Sequence, residues 1–453
     1  MRHRLAVLIA LALPLVAAHG EALPLWRFDA RLATEHTPLE VRACSPVAQD
    51  TVDFDGEPGA ELLQVERSSG AALIAHAGGW RAHDWQAGEC LHTRIDLLAI
   101  ARRDRYGLGH REGHYLRAAP TRWLLRPQRA SADSTIGFAL PSDWKVSVPW
   151  APAGDGRHRL GDTPADWPAQ VVFGRFESTT AVFAGDRQLR ITVVPTADGI
   201  DDMAIARWLM PVARVLGEVG GSFPREQVQV LVLPLPGVDA AVPWGQVTRG
   251  GGAAVHLFIG ANASAADREA DWTAHHEFAH LLHPYLGNRG RWLAEGLGSY
   301  YQNVLRARAG VITSADAWSR LQAGFARGRA ATPSDAGPME RVARTAPRGS
   351  TMRVYWAGAA FWLETDRALR GAGDSLDRLL GAFNAAHPGK ECCWTPESFI
   401  DALHALAPEA GLPERYRRHA RLRSFPLAEA ELAAWSREME KPDSVMAAIF
   451  ARP

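Results

Sequence analysis

The sequence predicts a multidomain α+β protein with a β-rich N-terminal region, a mixed middle and a helical C-terminal region. Three observations lead there. Residues 23–195 break into short alternating runs separated by Gly, Pro, Asp and Ser, the pattern of antiparallel strands in a sandwich or curved sheet. Residues 201–259 interleave a helical period with two apolar β runs. From residue 264 onward the apolar spacing is helical almost throughout. A chain of 453 residues has room for about three such units.

At the N-terminus, Arg2 and Arg4 precede an apolar run over 5–18. That run is shorter than the roughly twenty residues a spanning helix needs. Small residues and then polar ones follow, so 1–22 is expected to be a cleavable signal peptide and the mature chain secreted or periplasmic. An uncleaved anchor is the rival reading. No later stretch holds 18 uninterrupted apolar residues, so no membrane association is expected after cleavage. An oxidising compartment permits disulfides. Of the three pairings open to four cysteines, Cys44–Cys90 with Cys392–Cys393 is preferred.

Strands are expected at Leu39–Cys44, Ala71–His76, Cys90–Leu97, Ile136–Leu140, Trp144–Val148, Val171–Phe176 and Leu189–Val194. The Pro/Gly/Asp-rich stretch 149–168 reads as a long loop. A helix over 201–217 should kink or break at Pro211. Val228–Leu233 and Ala254–Ile259 read as strands. Ser264 and Asp267 resemble a capping box opening a helix, which Pro284 should end near His283. Further helices are expected at 291–309, 315–328, 352–370, 375–386, 396–406 and 427–439.

Lys+Arg and Asp+Glu number 50 each. The balance argues against a nucleic-acid partner, which would call for a basic excess. The run Arg415–Arg421 accordingly reads as a solvated helix face. His110 and His114 sit among glycines and read as a loop rather than a metal site.

The chemistry concentrates in His276-Glu277-Phe278-Ala279-His280. On a helix, positions i and i+4 share a face, so both imidazoles can point at one ion. Zinc prefers such nitrogen ligands. Glu277 lies between them, placed to reach a water at the metal without binding the metal. A catalytic zinc needs a third protein ligand and an open position. Glu295, in Trp292-Leu293-Ala294-Glu295-Gly296, supplies it if the chain turns back through Pro284, Gly287, Asn288 and Gly290. His275 should point off the metal face. His283, one turn after His280, could tune the site but reads as an exposed helix end, and Tyr300 and Tyr301 read as packing residues.

The block HEFAH…RWLAEGLGSYYQNVLRARAG over 276–310 resembles the gluzincin metallopeptidases. It is most similar to the glycyl aminopeptidase family, with aminopeptidase N and leukotriene A4 hydrolase as more distant relatives. The resemblance is strong only there and extends loosely over about half the chain. It implies a β-rich N-terminal domain over 23–195, a thermolysin-like catalytic domain over 196–310 and a helical domain over 311–453. It also implies one Zn2+ per chain on His276, His280 and Glu295, with Glu277 as general base. Tyr355, in Val354-Tyr355-Trp356-Ala357-Gly358, aligns with a phenol that hydrogen-bonds the oxyanion. Two departures stand out. Where the relatives carry an acidic strand that grips the substrate's α-amine, this chain reads Arg249-Gly250-Gly251-Gly252-Ala253, and no acidic residue occurs from 247 to 266. Gly250, Gly251, Gly252 and Ala253 are expected to pair with substrate backbone as an edge strand; the amine anchor is missing or comes from elsewhere, with Asp239, Asp267, Glu269 and Asp271 nearby in sequence. The other departure is the tail, which shows no PDZ domain.

These readings describe a secreted zinc metallopeptidase acting on peptide or protein substrates, leaving endo- or aminopeptidase action open. The alternative is a catalytically inactive pseudopeptidase that binds peptides and retains the zinc.

Overall fold

In a computed structural model of the chain, residues 23–57, 59–103, 115–161, 169–196, 199–248, 252–389 and 393–452 are described. The expected signal peptide, the His110/His114 loop, Gly250, Gly251 and Cys392 lie outside them, and with Cys392 the pairing proposed for it.

The front of the chain is β-rich, as its alternating runs require. A seven-stranded sheet runs 151–154, 157–159, 135–139, 27–31, 39–44, 90–95 and 62–67 in spatial order. A four-stranded sheet holds 74–76, 79–85, 49–55 and 126–127. A three-stranded sheet pairs 145–147, 171–174 and 115–118. Between them lies an aromatic core of Trp26, Phe28, Phe54, Trp85, Trp123 and Trp150. Cys44 and Cys90 face each other in adjacent strands and are disulfide-bonded. Two expectations need correction. Arg27–Arg31 runs parallel to Thr135–Ala139, so the region is not purely antiparallel. The expected loop 149–168 contains a hairpin, Ala151–Gly154 with Arg157–Arg159. Asp155 and Gly156 make its turn with positive φ, a turn chemistry that favours tight hairpins.

The middle region is built on a five-stranded sheet ordered 178–183, 187–193, 227–235, 253–260 and 244–248. The three central strands are parallel and both edges antiparallel. Gln227–Leu235 and Ala253–Gly260 are buried almost end to end, which is why they read as continuous apolar runs. The helix Asp202–Glu218 packs beside the sheet and is continuous through Pro211. Its buried face of Ile205, Leu209, Val212 and Leu216 outweighs the local cost of the proline, about 3 kcal/mol in a helix interior.

The helix expected over 264–283 is two helices. Ala265–Ala270 opens with the Ser264/Asp267 capping box. Asp271 is then extended (φ −73°, ψ 149°). Its carboxylate accepts from the Thr273 N–H at 2.6 Å, restarting the chain as Thr273–Ala279. An Asp that can take a downstream backbone donor competes with helix continuation.

Behind the sheet stand helices Arg291–Arg308, Ser314–Ala330, Thr351–Gly371, Leu376–Ala386, Pro396–Leu406 and Glu429–Met439, each within two residues of its expected bounds. The basic run lies on Leu412–Arg421. Short helices Met339–Thr345 and Val445–Phe450 were not expected. Among the described residues no strand follows Gly260, and no helix is long and apolar enough to cross a membrane.

Candidate metal centre

The site lies where the helix Thr273–Ala279 faces the helix Arg291–Arg308. His276, His280 and Glu295 each offer one ligand atom, and these atoms lie within 4.8 Å of one another. Glu295 Oε2 is 3.4 Å from His276 Nε2 and 3.6 Å from His280 Nε2. Two ligands about 2.0–2.1 Å from a tetrahedral zinc stand roughly 3.4 Å apart. The donor set and its spacing therefore fit one metal ion.

Hydrogen bonds prepare both imidazoles. His276 Nδ1 donates to Gln302 Oε1 at 2.9 Å. His280 Nδ1 is 3.1 Å from His283 Nε2. In each ring Nδ1 is engaged and Nε2 is turned toward Glu295. Burial disfavours charge on Glu295, but the hydrogen bonds and positive potential of His276 and His280 win, holding its carboxyl well below its ordinary value. It is an anion ready to bind a cation.

Four glycines make room for this geometry. A Cβ on Gly298 would sit 2.8 Å from the His276 ring, and one on Gly245 would sit 2.5 Å from Glu277 Cγ. Gly296 and Gly358 are where the helices Arg291–Arg308 and Thr351–Gly371 cross, and a Cβ on Gly358 would collide with the Trp292 carbonyl oxygen.

That crossing carries Tyr355 into the site. Its ring stacks on His276 with centroids 5.9 Å apart and planes 7° apart. Burial, then the charge of Glu295 and a hydrogen bond to it, push the phenol above its ordinary range. Tyr355 is therefore a neutral donor. Glu277 is 8% exposed and lies under the edge strand Trp244–Thr248, where Gly245 faces it.

All five residues expected from the HExxH block, the downstream Glu and the tyrosine thus come together. For Gly252 and Ala253, the described part of the glycine strand, the edge-strand expectation is corrected. Ala253 begins the strand Ala253–Gly260, which is paired on both sides. A Cβ on Gly252 would collide with the Pro149 backbone, and its φ is +101°, so this glycine serves a close chain approach. The sheet edge is instead Trp244–Thr248, whose Gly245 gave no pattern stronger than the glycine run beside it. His283 is also corrected: it is fully buried and bonded to His280. His275 is not among the clustered ligands; it is buried, and desolvation, then the charge of Arg306, lowers its pKa to about 3. Tyr300 and Tyr301 are buried and donate to Asp366 and Asp377, both at 2.7 Å. Gln302 was missed, although it follows Glu295 by seven positions, two turns along the same face.

No protein-family profile and no curated protein matches the sequence. Solved structures do. An aminopeptidase N family protein from Idiomarina loihiensis superposes with a TM-score of 0.65 at 14% identity, over 91% of this chain and 78% of that one. An M1 zinc metallopeptidase from Deinococcus radiodurans superposes with a TM-score of 0.57 at 15% identity, over 89% of this chain and 95% of that one. A variant of the latter bound to a Tyr-Ser-Ala substrate gives 0.56 at 15% identity, with the same coverage. The chain therefore shares the α+β fold of these solved structures across most of its length.

Proposed function

We propose that the protein is a zinc metallopeptidase, on the strength of one observation: His276, His280 and Glu295 converge at zinc-ligand spacing with Glu277 and Tyr355 beside them. The metal named for two of the matched structures agrees with this donor set. Bound zinc supplies a Lewis acid that polarises the scissile carbonyl and acidifies water. Glu277 accepts the proton of the attacking water and passes it to the leaving amine. Tyr355, held neutral, donates its phenolic hydrogen to the developing oxyanion. The strand Trp244–Thr248, last in its sheet, offers backbone groups to an extended peptide. The five-stranded sheet supports a thermolysin-like catalytic unit that starts near Ser178 rather than at 196, because two of its strands lie at 178–183 and 187–193. An inactive pseudopeptidase has no need of Glu277 and Tyr355 in these positions.

The same site favours cleavage without recognition of a free α-amine. An ammonium drawn into a cleft needs a carboxylate to offset its desolvation. The edge strand reads Trp-Gly-Gln-Val-Thr, and the first acidic residue before it is Asp239. Asp239 is engaged with Asn262, Asp267 caps a helix, and Asp271 accepts from Thr273. The Cys44–Cys90 disulfide supports a secreted or periplasmic location. The test is a peptide library offered with and without chelator, each peptide beside its N-acetylated twin. Chelator-sensitive cleavage at equal rates on both twins is expected. No cleavage at all contradicts the peptidase reading, and cleavage of free-amine peptides alone contradicts the amine-independent one.

A further inference from the structure

We propose that His283 is a positioning residue for the metal centre: it fixes the His280 tautomer that turns the Nε2 lone pair to the ion. This rests on the zinc reading above. His283 is fully buried, just beyond His280 in the short 3₁₀ turn that continues the HExxH helix. Its Nδ1 is 2.7 Å from the Pro284 carbonyl oxygen. A carbonyl oxygen can only accept, so Nδ1 of His283 carries the proton. In the neutral ring Nε2 is then an acceptor. The group 3.1 Å from that acceptor is His280 Nδ1, which must donate. When an ion takes the place of the Nε2 proton that faces Glu295 Oε2 at 3.6 Å, a His280 protonated at Nδ1 presents its Nε2 lone pair to that ion.

The chain of hydrogen bonds is directional because it begins at a backbone carbonyl, whose polarity no rotamer can reverse. Gln302 does the same for His276 through its side-chain oxygen. Both histidines are thus aligned through Nδ1. Outer partners of ligating histidines are worth about 10–100-fold in metal affinity. A packing role would require only the shape of the ring, whereas a tautomer-setting role requires an acceptor where His283 Nε2 stands. Glutamine can place an amide oxygen there, and leucine cannot.

The experiment measures zinc affinity by competition with a chromophoric chelator for the full chain, His283→Leu and His283→Gln, with apoprotein melting recorded for each. Leucine is expected to weaken zinc about 10–100-fold and glutamine to recover most of the loss. Equal affinity in His283→Leu and wild type, or His283→Gln binding no better than His283→Leu, overturns the proposal. Should His283→Leu fail to fold, the histidine tautomers of the zinc-loaded wild type decide by long-range nitrogen–proton correlation. Nδ1–H on both His283 and His280 supports it, and Nε2–H on His283 overturns it. A wild type that holds no zinc overturns the zinc reading itself. A zinc-binding wild type with indifferent variants overturns this inference alone.

Discussion

Gly296 and Gly358 meet backbone to backbone: a Cβ on either would run into the other's chain. The contact sets the relation between the two halves of the site, because Glu295 is the neighbour of one glycine and Tyr355 stands three positions before the other. The crossing is fastened beyond the site as well. Trp362 Nε1 donates to the Leu293 carbonyl at 2.8 Å, and Tyr300 donates to Asp366.

Gly358→Ala should therefore separate the helices. Overpacking of this kind costs about 1–3 kcal/mol, readable as a lowered midpoint of chemical unfolding. Peptidase activity should fall further than stability, because Tyr355 moves away from Glu295. A variant with unchanged kcat would show that the crossing does not position the site.

Tyr355→Phe keeps the ring stacked on His276 and removes only the hydroxyl. Loss of one oxyanion donor lowers kcat by about 10²–10³. Steady-state kinetics should show this with KM little altered and zinc content unchanged. A fall confined to KM would assign the phenol to substrate binding instead.

Glu277→Gln should retain zinc and lose turnover by at least about 10²–10⁴, the range for one acid–base group. Gly245→Ala should impair the same step without touching Glu277 chemically, since its methyl would press on Glu277 Cγ. Activity of Gly245→Ala equal to wild type would mean that the edge strand does not confine the base.

Acid stability should trace to the front sheets. Glu89 and Arg67 are buried and doubly bonded, at 2.8 Å in each arm. Burial pushes the Glu89 carboxyl up. The hydrogen bonds from Arg67, Ser69 and the Gln86 N–H outweigh that and bring it down from 4.5 to about 2. A depressed folded-state pKa gives stability that is present above the unfolded value and lost as pH falls toward the folded one. Melting measured between pH 4.5 and 2 should decline in the wild type and decline less steeply in Glu89→Gln. Identical slopes would remove Glu89 from the account.

Much of this was legible in the sequence because it depends on local spacing. The His276/His280 pair needs only a helical turn. The C-terminal helices showed in their helical apolar spacing, and the structure adds caps at Thr313 with Asp316 and Thr395 with Ser398. What escaped depends on contacts distant in sequence. Trp244–Thr248 is too short and too exposed on one side to show an apolar run, and becomes a strand only by pairing with Ala253–Gly260. His283 looked like a helix end beside Pro284, yet Asn384 and Arg225 close over that turn by bonding the Leu282 and His283 carbonyls. Pro211 signalled a break that the buried face of its helix overrides.

The central claim is that His276, His280 and Glu295 hold one catalytic zinc. Metal analysis of the purified chain beside a His280→Ala, Glu295→Ala double variant tests it most directly. The account predicts one zinc per wild-type chain and no stoichiometric zinc in the variant. Equal zinc in the two proteins, or none in the wild type, would contradict it.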